Sequence, residues 1–342
     1  MAQSKLTIIV VPRERFTGSR RSLASIYGNT RMKFELIYVD GGSPVRVHRY
    51  LKLESQRRGF RLIRTDHYLT PNEARNLAFK SVDSEYVVFV DNDVVVEPGW
   101  LENLVACAEE TAAWVVGPTY LIGEPKDQIV HLTGGDARFA ERDGERHFIE
   151  SHRNATRHLS EVKDSLRRTT CDFVEFHCML IRSDVLRRLG GLDDALLSSP
   201  EHIDICLQVW AAGGQVYFEP TSIVTYVPRY LMPPSDLRFF LRRWSDEWNR
   251  ASLRHFQLKY GLRDNDRFLT MHYGWLTGHR RWPVKLFTKP MRMVFGNFLS
   301  DFLERRLDSL LFALTPKDQP RALETERFPW ALDPTSRPET PA

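Results

Sequence analysis

The sequence predicts an α/β protein with a Rossmann-like, mostly parallel sheet and a helical C-terminal extension. Three observations support this fold class. Short runs of β-branched and aromatic residues lack clean polar alternation over about the first 120 residues, as is typical of strands covered on both faces. Helical patterns separate these runs. Amphipathic helical patterns then dominate the chain beyond about residue 231.

Five strands are predicted in the first part of the chain. They cover residues 6–11, 34–39, 60–63, 86–90 and 114–116. After the third strand, Thr70 and Glu73 have capping-box spacing around Pro71, which predicts a helix through Lys80. Pro98 is expected to begin another helix with one apolar face.

The middle of the chain has a weaker pattern. Residues 121–168 are polar and rich in His, Arg, Gly and Asp, which predicts a long and partly mobile excursion from the core. Regular structure is expected again at residues 171–181 and in a strand at residues 215–218. Short helices are predicted after Ser183 and from Ser198-Ser199-Pro200-Glu201, where Glu201 would complete a capping box. A longer helix is predicted to begin at Ser235, with Leu237, Leu241, Trp244 and Trp248 on one face.

Composition narrows the classes of function. The formal net charge of +4 over 342 residues is small and the arginines are scattered, so we expect no nucleic-acid partner. The four cysteines form no C-x-x-C pair, which favours reduced, buried thiols. The apolar run at residues 6–11 is too short for a signal-peptide core, and no apolar run reaches about 18 residues. We therefore expect a cytoplasmic protein whose membrane contact, if any, is peripheral and at the inner face.

Polar segments follow four of the predicted strands. Because ligands of such sheets bind at the carboxyl ends of the strands, these segments should share one crevice. They are Pro12-Arg13-Glu14-Arg15, Asp40-Gly41-Gly42-Ser43, Thr65-Asp66-His67 and Asp91-Asn92-Asp93.

Asp91 and Asp93 directly follow an apolar strand, so both carboxylates should project into this crevice. Asp and Asn are also common turn formers, and an isolated segment of this kind would mean little. Carboxylates at a rigid strand end can hold Mg²⁺ or Mn²⁺ while a diphosphate fills other positions. Such a cation would stabilise the negative charge that develops on a departing diphosphate.

Five segments in this order resemble landmarks of the family 2 glycosyltransferases of the GT-A fold, over roughly residues 5–230. They are Val39-Asp40-Gly41-Gly42-Ser43 for V-D-D-G-S, Asn72-Glu73-Ala74-Arg75-Asn76 for the A-R-N helix start, Val90-Asp91-Asn92-Asp93 for D-x-D, Gly190-Gly191-Leu192-Asp193 for G-G-F-D, and Glu201-His202-Ile203-Asp204-Ile205-Cys206-Leu207 for E-D-x-D-L-C-L. The resemblance implies a GT-A type sheet and an inverting, metal-dependent transferase that uses a nucleotide sugar.

The resemblance also implies roles for single residues on the donor side. Asp40 would contact the nucleobase, Arg75 would approach the diphosphate, and Asp91 and Asp93 would serve the ribose and the metal. The expected cofactor is Mn²⁺ or Mg²⁺. The full set of expected donor-binding residues is Pro12, Arg13, Glu14, Asp40, Arg75, Asp91, Asn92 and Asp93.

The sequence departs from the family pattern at two positions. Gly41 replaces the second aspartate of the nucleobase turn, which leaves the base open, and His202 replaces the second acidic residue of E-D. We favour Glu201 as the catalytic base, because a helix N-terminus favours a carboxylate over an imidazolium, with His202 as the alternative. Glu175 and Asp204 are candidates for the acceptor side.

The spacing of the histidines in the sequence identifies few of them as candidate metal ligands. His177 and His202 could join the metal, although a structural role is expected for His177. The other histidines of the middle segment show no metal-ligand spacing. These are His131, His147, His152 and His158.

The expected activity is transfer of a sugar from a nucleoside-diphosphate sugar, with a UDP-sugar as the first choice, to a glycan, lipid-linked or other hydroxyl acceptor. The alternatives are a sugar-phosphate nucleotidyltransferase and a non-catalytic protein that kept the GT-A fold. A nucleotidyltransferase is disfavoured because no Gly-rich, Lys-containing phosphate loop follows the first strand.

These expectations divide the chain into three parts. Residues 1–230 form the transferase domain, with a donor half at about 1–120 and an acceptor half at about 121–230. Residues 231–315 form the helical extension, whose apolar stripe between Phe295 and Leu310 would pack on the domain or a second subunit, or lie on an anionic membrane. Residues 316–342 are a Pro-rich flexible tail.

Overall fold

The structure of the chain is a computed structural model that describes residues 5–228 and 232–313. Within these residues the strands are β1 (Leu6–Val11), β2 (Glu35–Gly41), β3 (Arg61–Thr65), β4 (Tyr86–Asp91), β5 (Val94–Val96), β6 (Val115–Ile122), β7 (Ile129–Leu132), β8 (Gly135–Arg142), β9 (Glu145–His152), β10 (Thr169–Thr170), β11 (Cys178–Arg182) and β12 (Val216–Tyr226). The helices are α1 (Ser19–Asn29), α2 (Val45–Arg58), α3 (Pro71–Phe79), α4 (Trp100–Thr111), α5 (Leu159–Val162), α6 (Ser183–Arg188), α7 (Glu201–Ala211), α8 (Pro234–Arg243), α9 (Asp246–Tyr260), α10 (Arg267–Arg280) and α11 (Trp282–Ala313).

The central sheet has a parallel half and a mixed half. β3, β2, β1 and β4 lie side by side in that order and are parallel. β11 follows as an antiparallel strand between β4 and β6, and β12 runs parallel to β6. Shorter antiparallel strands complete the edge, and β8 and β9 form a separate hairpin. The predicted α/β class with a Rossmann-like, GT-A type sheet is confirmed.

The parallel half positions the polar segments. β1 and β4 are buried along their whole length, so their apolar runs form the middle of the core. Val11 pairs with Asp91 in the parallel register, so the carboxyl ends of these two strands lie level. Thr70 and Glu73 form the predicted capping box at the start of α3. The four cysteines are free and buried, as the sequence predicts.

The prediction of a loose excursion at residues 121–168 is wrong. This segment continues β6, adds β7 to the sheet and forms the β8–β9 hairpin. The hairpin turns through Asp143 and Gly144, whose φ angles are 53° and 75°. Two left-handed residues of this kind suit the tightest hairpin turns. The polar composition does not indicate a loop here, because one face of a β-hairpin can remain exposed to solvent.

Two helix boundaries also differ from the prediction. α7 begins at Glu201 without a side-chain cap, because the Ser198 hydroxyl instead donates to Asn249 at 2.8 Å. The capping-box interpretation of Glu201 is therefore wrong. The single helix predicted from Ser235 is in fact α8 and α9, which are separated where Ser245 caps α9 through Trp248 N.

Helix α11 is interrupted at Gly296, whose φ of 74° and ψ of 174° are not helical, and the part after Gly296 presents its polar face to the protein and its apolar face to solvent. Ser300, Glu304 and Asp308 are buried, and Asp308 accepts a hydrogen bond of 2.8 Å from Arg280. The outward residues include Phe298, Leu299, Phe302 and Leu310. Packing of this stripe on the domain is therefore wrong for these residues, whereas the membrane and second-subunit alternatives stay predictions. None of the helices in the described ranges is both long and apolar enough to cross a bilayer. The predicted flexible tail lies outside the described residues.

Candidate active site

A cavity of about 1190 Å³ opens at the carboxyl ends of the strands. The β8–β9 hairpin and α10 each supply six of the lining residues, α7 supplies Glu201 and His202, and the ends of β4 and β12 contribute Asp91 and Tyr226. Imidazoles are concentrated here, which provides ligands for transition metals and groups that can exchange protons near neutral pH. The histidines that line the cavity are His131, His147, His152, His177, His202, His272 and His279.

The Asp91-Asn92-Asp93 segment is held by its central residue. Asn92 is fully buried, and its amide donates to the Arg15 carbonyl at 2.8 Å while its carbonyl accepts from Arg13 N at 3.3 Å. These bonds tie the end of β4 to the loop after β1. Asn92 therefore has a structural role here that fixes the two flanking carboxylates.

Asp93 is a buried carboxylate that lacks hydrogen-bond donors. Neither of its oxygens has a hydrogen-bond partner among the described residues, and the nearest guanidinium atom, Arg15 Nε, is 3.9 Å away. Burial is the main reason that the pKa of Asp93 is raised to about 7, and Arg15 offsets this effect only in part. An orphaned buried carboxylate is costly, so this position fits a bound cation.

His177 completes a group of three candidate metal ligands. Its Nδ1 lies 3.3 Å from Asp91 Oδ2 and has no hydrogen-bond partner in the described part of the chain. One ligand atom each from Asp91, Asp93 and His177 lie within 4.8 Å of one another. Burial lowers the pKa of His177, and the neutral imidazole is the form that binds metals. We call this group the β4 site, and its oxygen-rich ligand set fits Mn²⁺ or Mg²⁺.

Three guanidinium groups surround two carboxylates on the cavity floor. Arg75 Nη2 is 3.1 Å from Asp91 Oδ1, and Arg13 Nε is 3.6 Å from Asp91 Oδ2. Glu201 Oε1 lies 3.7 Å from Arg75 Nη1 and 3.5 Å from Arg243 Nη2. Arg13 Nη1 also lies 3.9 Å from Glu14 Oε2, so these charges are paired, and the three guanidinium groups supply planar hydrogen-bond donors that suit a diphosphate.

Glu201 and His202 both reach the cavity from the start of α7. Burial alone would raise the pKa of Glu201, but Arg243 and Arg75 outweigh it and hold the pKa below its usual value. Glu201 Oε2 has no hydrogen-bond partner within the described ranges. Burial lowers the pKa of His202, whose Nε2 likewise lacks such a partner there. Each residue thus keeps one atom that can accept a proton.

Two expected donor residues are occupied by protein contacts. Asp40 is fully buried, with Oδ2 accepting from Arg64 at 2.6 Å and lying 2.9 Å from His48 Nδ1. Ser43 N donates to its other oxygen at 2.9 Å. Asp40 therefore organises the turn after β2 rather than lining the cavity. Pro12 is also buried and does not line it.

Glu14 anchors the C-terminal helices to the end of β1. Tyr226 donates to Glu14 Oε1 at 2.7 Å, and Trp244 Nε1 and His279 Nε2 lie 3.1 and 2.9 Å from Oε2. Burial favours the neutral acid, but His279 and Arg13 hold the pKa of Glu14 well below its usual value. Both oxygens are thus occupied by protein, and α8 and α10 become walls of the cavity.

The two acceptor-side candidates have different surroundings. Glu175 lines the cavity, with Oε2 3.0 Å from His131 Nε2 and 3.5 Å from His177 Nε2. Asp204 is buried against α9, where Lys259 Nζ and Tyr260 OH lie 2.6 and 2.7 Å from its Oδ1. Asp204 does not line the cavity, so its contacts give it a structural role.

Sequence reasoning missed three cavity residues on β7 and β9. His131 and His152 are brought together with Glu175, although they are far apart in the chain. Glu150 also lines the cavity, and burial and nearby Glu175 raise its pKa to about 7. The Asp-Gly pair at residues 143–144, flanked by alternating side chains, was the signal that could have revealed the hairpin.

A family model described as glycosyl transferase family 2 matches residues 7–190, which is more than half of the chain. The chain is 25% identical over 241 residues to the pre-mycofactocin glycosyltransferase of Mycobacterium tuberculosis, covering 70% of this chain and 44% of that protein. It is 28% identical over 222 residues to the O-antigen biosynthesis protein RfbC of Myxococcus xanthus, covering 62% of this chain and 16% of that protein. The chain thus spans less than half the length of these two relatives.

Two solved structures have a similar fold. GalNAc-T7 with UDP, GalNAc and Mn²⁺ matches with a TM-score of 0.50 and 17% identity, covering 83% of this chain and 58% of that chain. The mannosyltransferase PcManGT of Pyrobaculum calidifontis, in complex with GDP-Man and Mn²⁺, matches with a TM-score of 0.50 and 14% identity. The match covers 91% of this chain and 81% of that chain. At these identities the likeness concerns the fold alone.

Proposed function

The chain belongs to glycosyl transferase family 2, and from that premise we propose that it transfers a sugar from a nucleoside-diphosphate sugar to a hydroxyl acceptor. A UDP-sugar is the expected donor, and inversion at the anomeric carbon is the expected stereochemistry. Polysaccharide, glycolipid or other glycoconjugate synthesis is the expected context. The division of residues 1–230 into donor and acceptor halves is part of the same proposal.

One observation carries the proposal: the buried Asp93 carboxylate, without hydrogen-bond donors, lies beside Asp91 and His177, and Asp91 is in turn paired with Arg75 and Arg13. In the proposal, the ligands of the β4 site hold Mn²⁺ or Mg²⁺. When bound there, the cation would offset the negative charge that the diphosphate gains as the sugar leaves. The GT-A structures that resemble this chain contain Mn²⁺, which supports the choice of metal for this chain.

The arginines would bind and orient the donor. Arg75 and Arg243 sit deep in the cavity and share Glu201, so their planar groups are already oriented before a diphosphate arrives. Arg13 stacks over Tyr226, 4.5 Å from its ring centroid, which fixes a third guanidinium. Hydrogen-bond donors that are already oriented in this way stabilise a developing negative charge most strongly where water is excluded.

Glu201 is the proposed base. Its Oε2 atom would accept the acceptor proton as the new bond forms, while Arg75 and Arg243 hold Oε1. The same arginines lower its pKa, so Glu201 is ionised but weakly basic. His202 is the alternative base, because its neutral ring lies at the same end of α7.

The exposed face of α11 supports contact with an anionic membrane as a further part of the proposal. Phe298 and Phe302 are exposed there, and Arg306 lies 5.3 Å from the ring centroid of Phe302. Arg305 is exposed beside them. Apolar residues among arginines suit a lipid surface with negative head groups. Such contact would bring the cavity close to a lipid-linked acceptor.

A thermal-shift screen tests the proposal against its rivals. Preferential binding to the native state raises the melting temperature, so nucleoside diphosphates with Mn²⁺ should stabilise the chain more than either component alone. A nucleotidyltransferase would instead release pyrophosphate from a nucleoside triphosphate and a sugar phosphate. A binding protein would respond to nucleotides but never transfer sugar. No shift with any nucleotide in the presence of Mn²⁺ would contradict the proposal.

A further inference from the structure

We propose that His131, His152 and Glu175 form a second cation site, separate from the β4 site and fitted to a Zn²⁺-class transition metal. We call it the histidine site. One ligand atom from each residue lies within 4.8 Å of the other two. All three side chains line the cavity. The site is independent of the proposed transfer reaction.

The closest pair is near enough for shared metal ligation and is not aligned for a hydrogen bond. His131 Nε2 and Glu175 Oε2 are 3.0 Å apart, yet Oε2 has no aligned hydrogen-bond donor in the described part of the chain. Ligand bonds of about 2.0–2.2 Å around zinc put neighbouring ligand atoms roughly 3–3.5 Å apart. Both atoms can therefore direct lone pairs at one shared point. A ligand atom of His152 lies within 4.8 Å of both and completes the group.

The scaffold holds these side chains in place. His131 is on β7, His152 ends β9, and Glu175 lies just before β11. The His152 ring packs against Phe173 with centroids 5.4 Å apart, and the His131 ring meets His152 edge-on at 6.0 Å. Ligands on separate, packed strands give a more rigid site than ligands on one loop.

The ligand set selects the class of metal. Two imidazoles and one carboxylate suit Zn²⁺, whereas the two carboxylates and one imidazole of the β4 site suit Mn²⁺ or Mg²⁺. Three protein ligands leave a fourth position, which water or a molecule in the cavity would fill. Glu175 Oε2 lies 3.5 Å from His177 Nε2, so the two sites are neighbours.

The test uses the full chain without a histidine tag, in an Asp93→Asn background that weakens the β4 site. After chelator treatment and dialysis, this chain should bind about one equivalent of Zn²⁺, and Co²⁺ should give the absorption bands of a four-coordinate site. Adding His131→Ala or His152→Gln should weaken metal binding at least tenfold. His67→Ala, on an exposed histidine, should change nothing.

Circular dichroism checks that each variant folds, and His152→Gln keeps a polar side chain of similar size if His131→Ala proves unstable. If His131 and Glu175 form only an ion pair, the Asp93→Asn chain will bind no stoichiometric Zn²⁺. That result, or metal binding that both histidine substitutions leave unchanged, overturns the proposal. Neither outcome depends on sugar transfer or nucleotide binding.

Discussion

Arg75 Nη2 lies 3.1 Å from Asp91 Oδ1, and this contact joins the first turns of α3 to the carboxyl end of β4. Both side chains are buried, and the Arg75 guanidinium also lies over the Phe176 ring at 3.8 Å. The A-R-N and D-x-D segments of the sequence are therefore one physical unit. The strength of a buried ion pair of this kind depends on the shape of the two side chains as well as on their charge.

Arg75→Lys should weaken binding of a nucleoside diphosphate by at least about tenfold, because lysine keeps the charge but loses the planar, bidentate group. Isothermal titration calorimetry with Mn²⁺ present measures the change. Arg57→Lys is the matched control, since Arg57 is exposed on α2. Equal affinities for Arg75→Lys and the wild type would show that Arg75 does not bind the diphosphate.

Mn²⁺ affinity should depend on pH through Asp93, whose pKa is raised to about 7. A raised native-state pKa means that the proton on Asp93 stabilises the metal-free fold at low pH, and this contribution is lost as pH rises through about 7. Mn²⁺ needs the carboxylate and must displace that proton. We expect affinity to rise about tenfold per unit between about pH 5.5 and 7, and then to level off.

Calorimetry across this pH range tests the expectation, with Asp93→Asn as the control. The slope should be lost in that variant because the carboxylate with the raised pKa is gone, while the pKa of Asp91 is held low. A wild-type Mn²⁺ affinity that stays constant from about pH 5.5 to 7 would contradict the assignment of Asp93 as a ligand.

Glu201→Gln should lower the rate of sugar transfer by about 10²–10⁴ while leaving donor affinity nearly intact, as expected for loss of a general base. His202→Ala should have the smaller effect on the rate. Transfer assays and donor titrations on both variants separate the two roles. If Glu201→Gln transfers at the wild-type rate and His202→Ala binds donor but is inactive, His202 is the base.

Replacing Phe298 and Phe302 by serine should reduce binding to vesicles that contain anionic lipid, because the exposed apolar face of α11 is lost. Cosedimentation with such vesicles measures this, and Leu53→Ser on exposed α2 is the control. Light scattering on the same proteins reports association. The wild-type chain could instead fail to bind vesicles and form dimers, with the double variant remaining monomeric. That result would contradict membrane contact and assign this face to a second copy of the chain.

Much of the fold follows from local sequence patterns. The β1 run is apolar at every position except Thr7, and the structure has the predicted strand with the predicted bounds. The Thr70 capping box also forms as its spacing predicts, because capping depends on residues three apart in the chain. Asp91 ends β4 and lines the cavity, as the preceding strand predicts, whereas Asp93 is buried and is not among the lining residues.

The rest depends on contacts between distant segments. Nothing near Glu14 in the sequence indicates that Trp244 and His279 will occupy its carboxylate. His131 and His152 meet only because β7 joins the sheet and the hairpin folds back beside it. Ser198 could cap α7 by spacing, but tertiary bonding to Asn249 competes successfully. Where a polar side chain has several possible hydrogen-bond partners of similar energy, sequence spacing alone does not predict which partner it will bind.

The most direct test of the central claim is calorimetry of nucleoside diphosphate binding in Mn²⁺ and in EDTA, with wild type, Asp93→Asn and the exposed-site control Asp184→Asn. The account predicts that EDTA lowers wild-type and Asp184→Asn affinity at least tenfold, whereas Asp93→Asn binds weakly in both conditions. Equal wild-type affinity in Mn²⁺ and EDTA, or a normal Mn²⁺ response from Asp93→Asn, would contradict it.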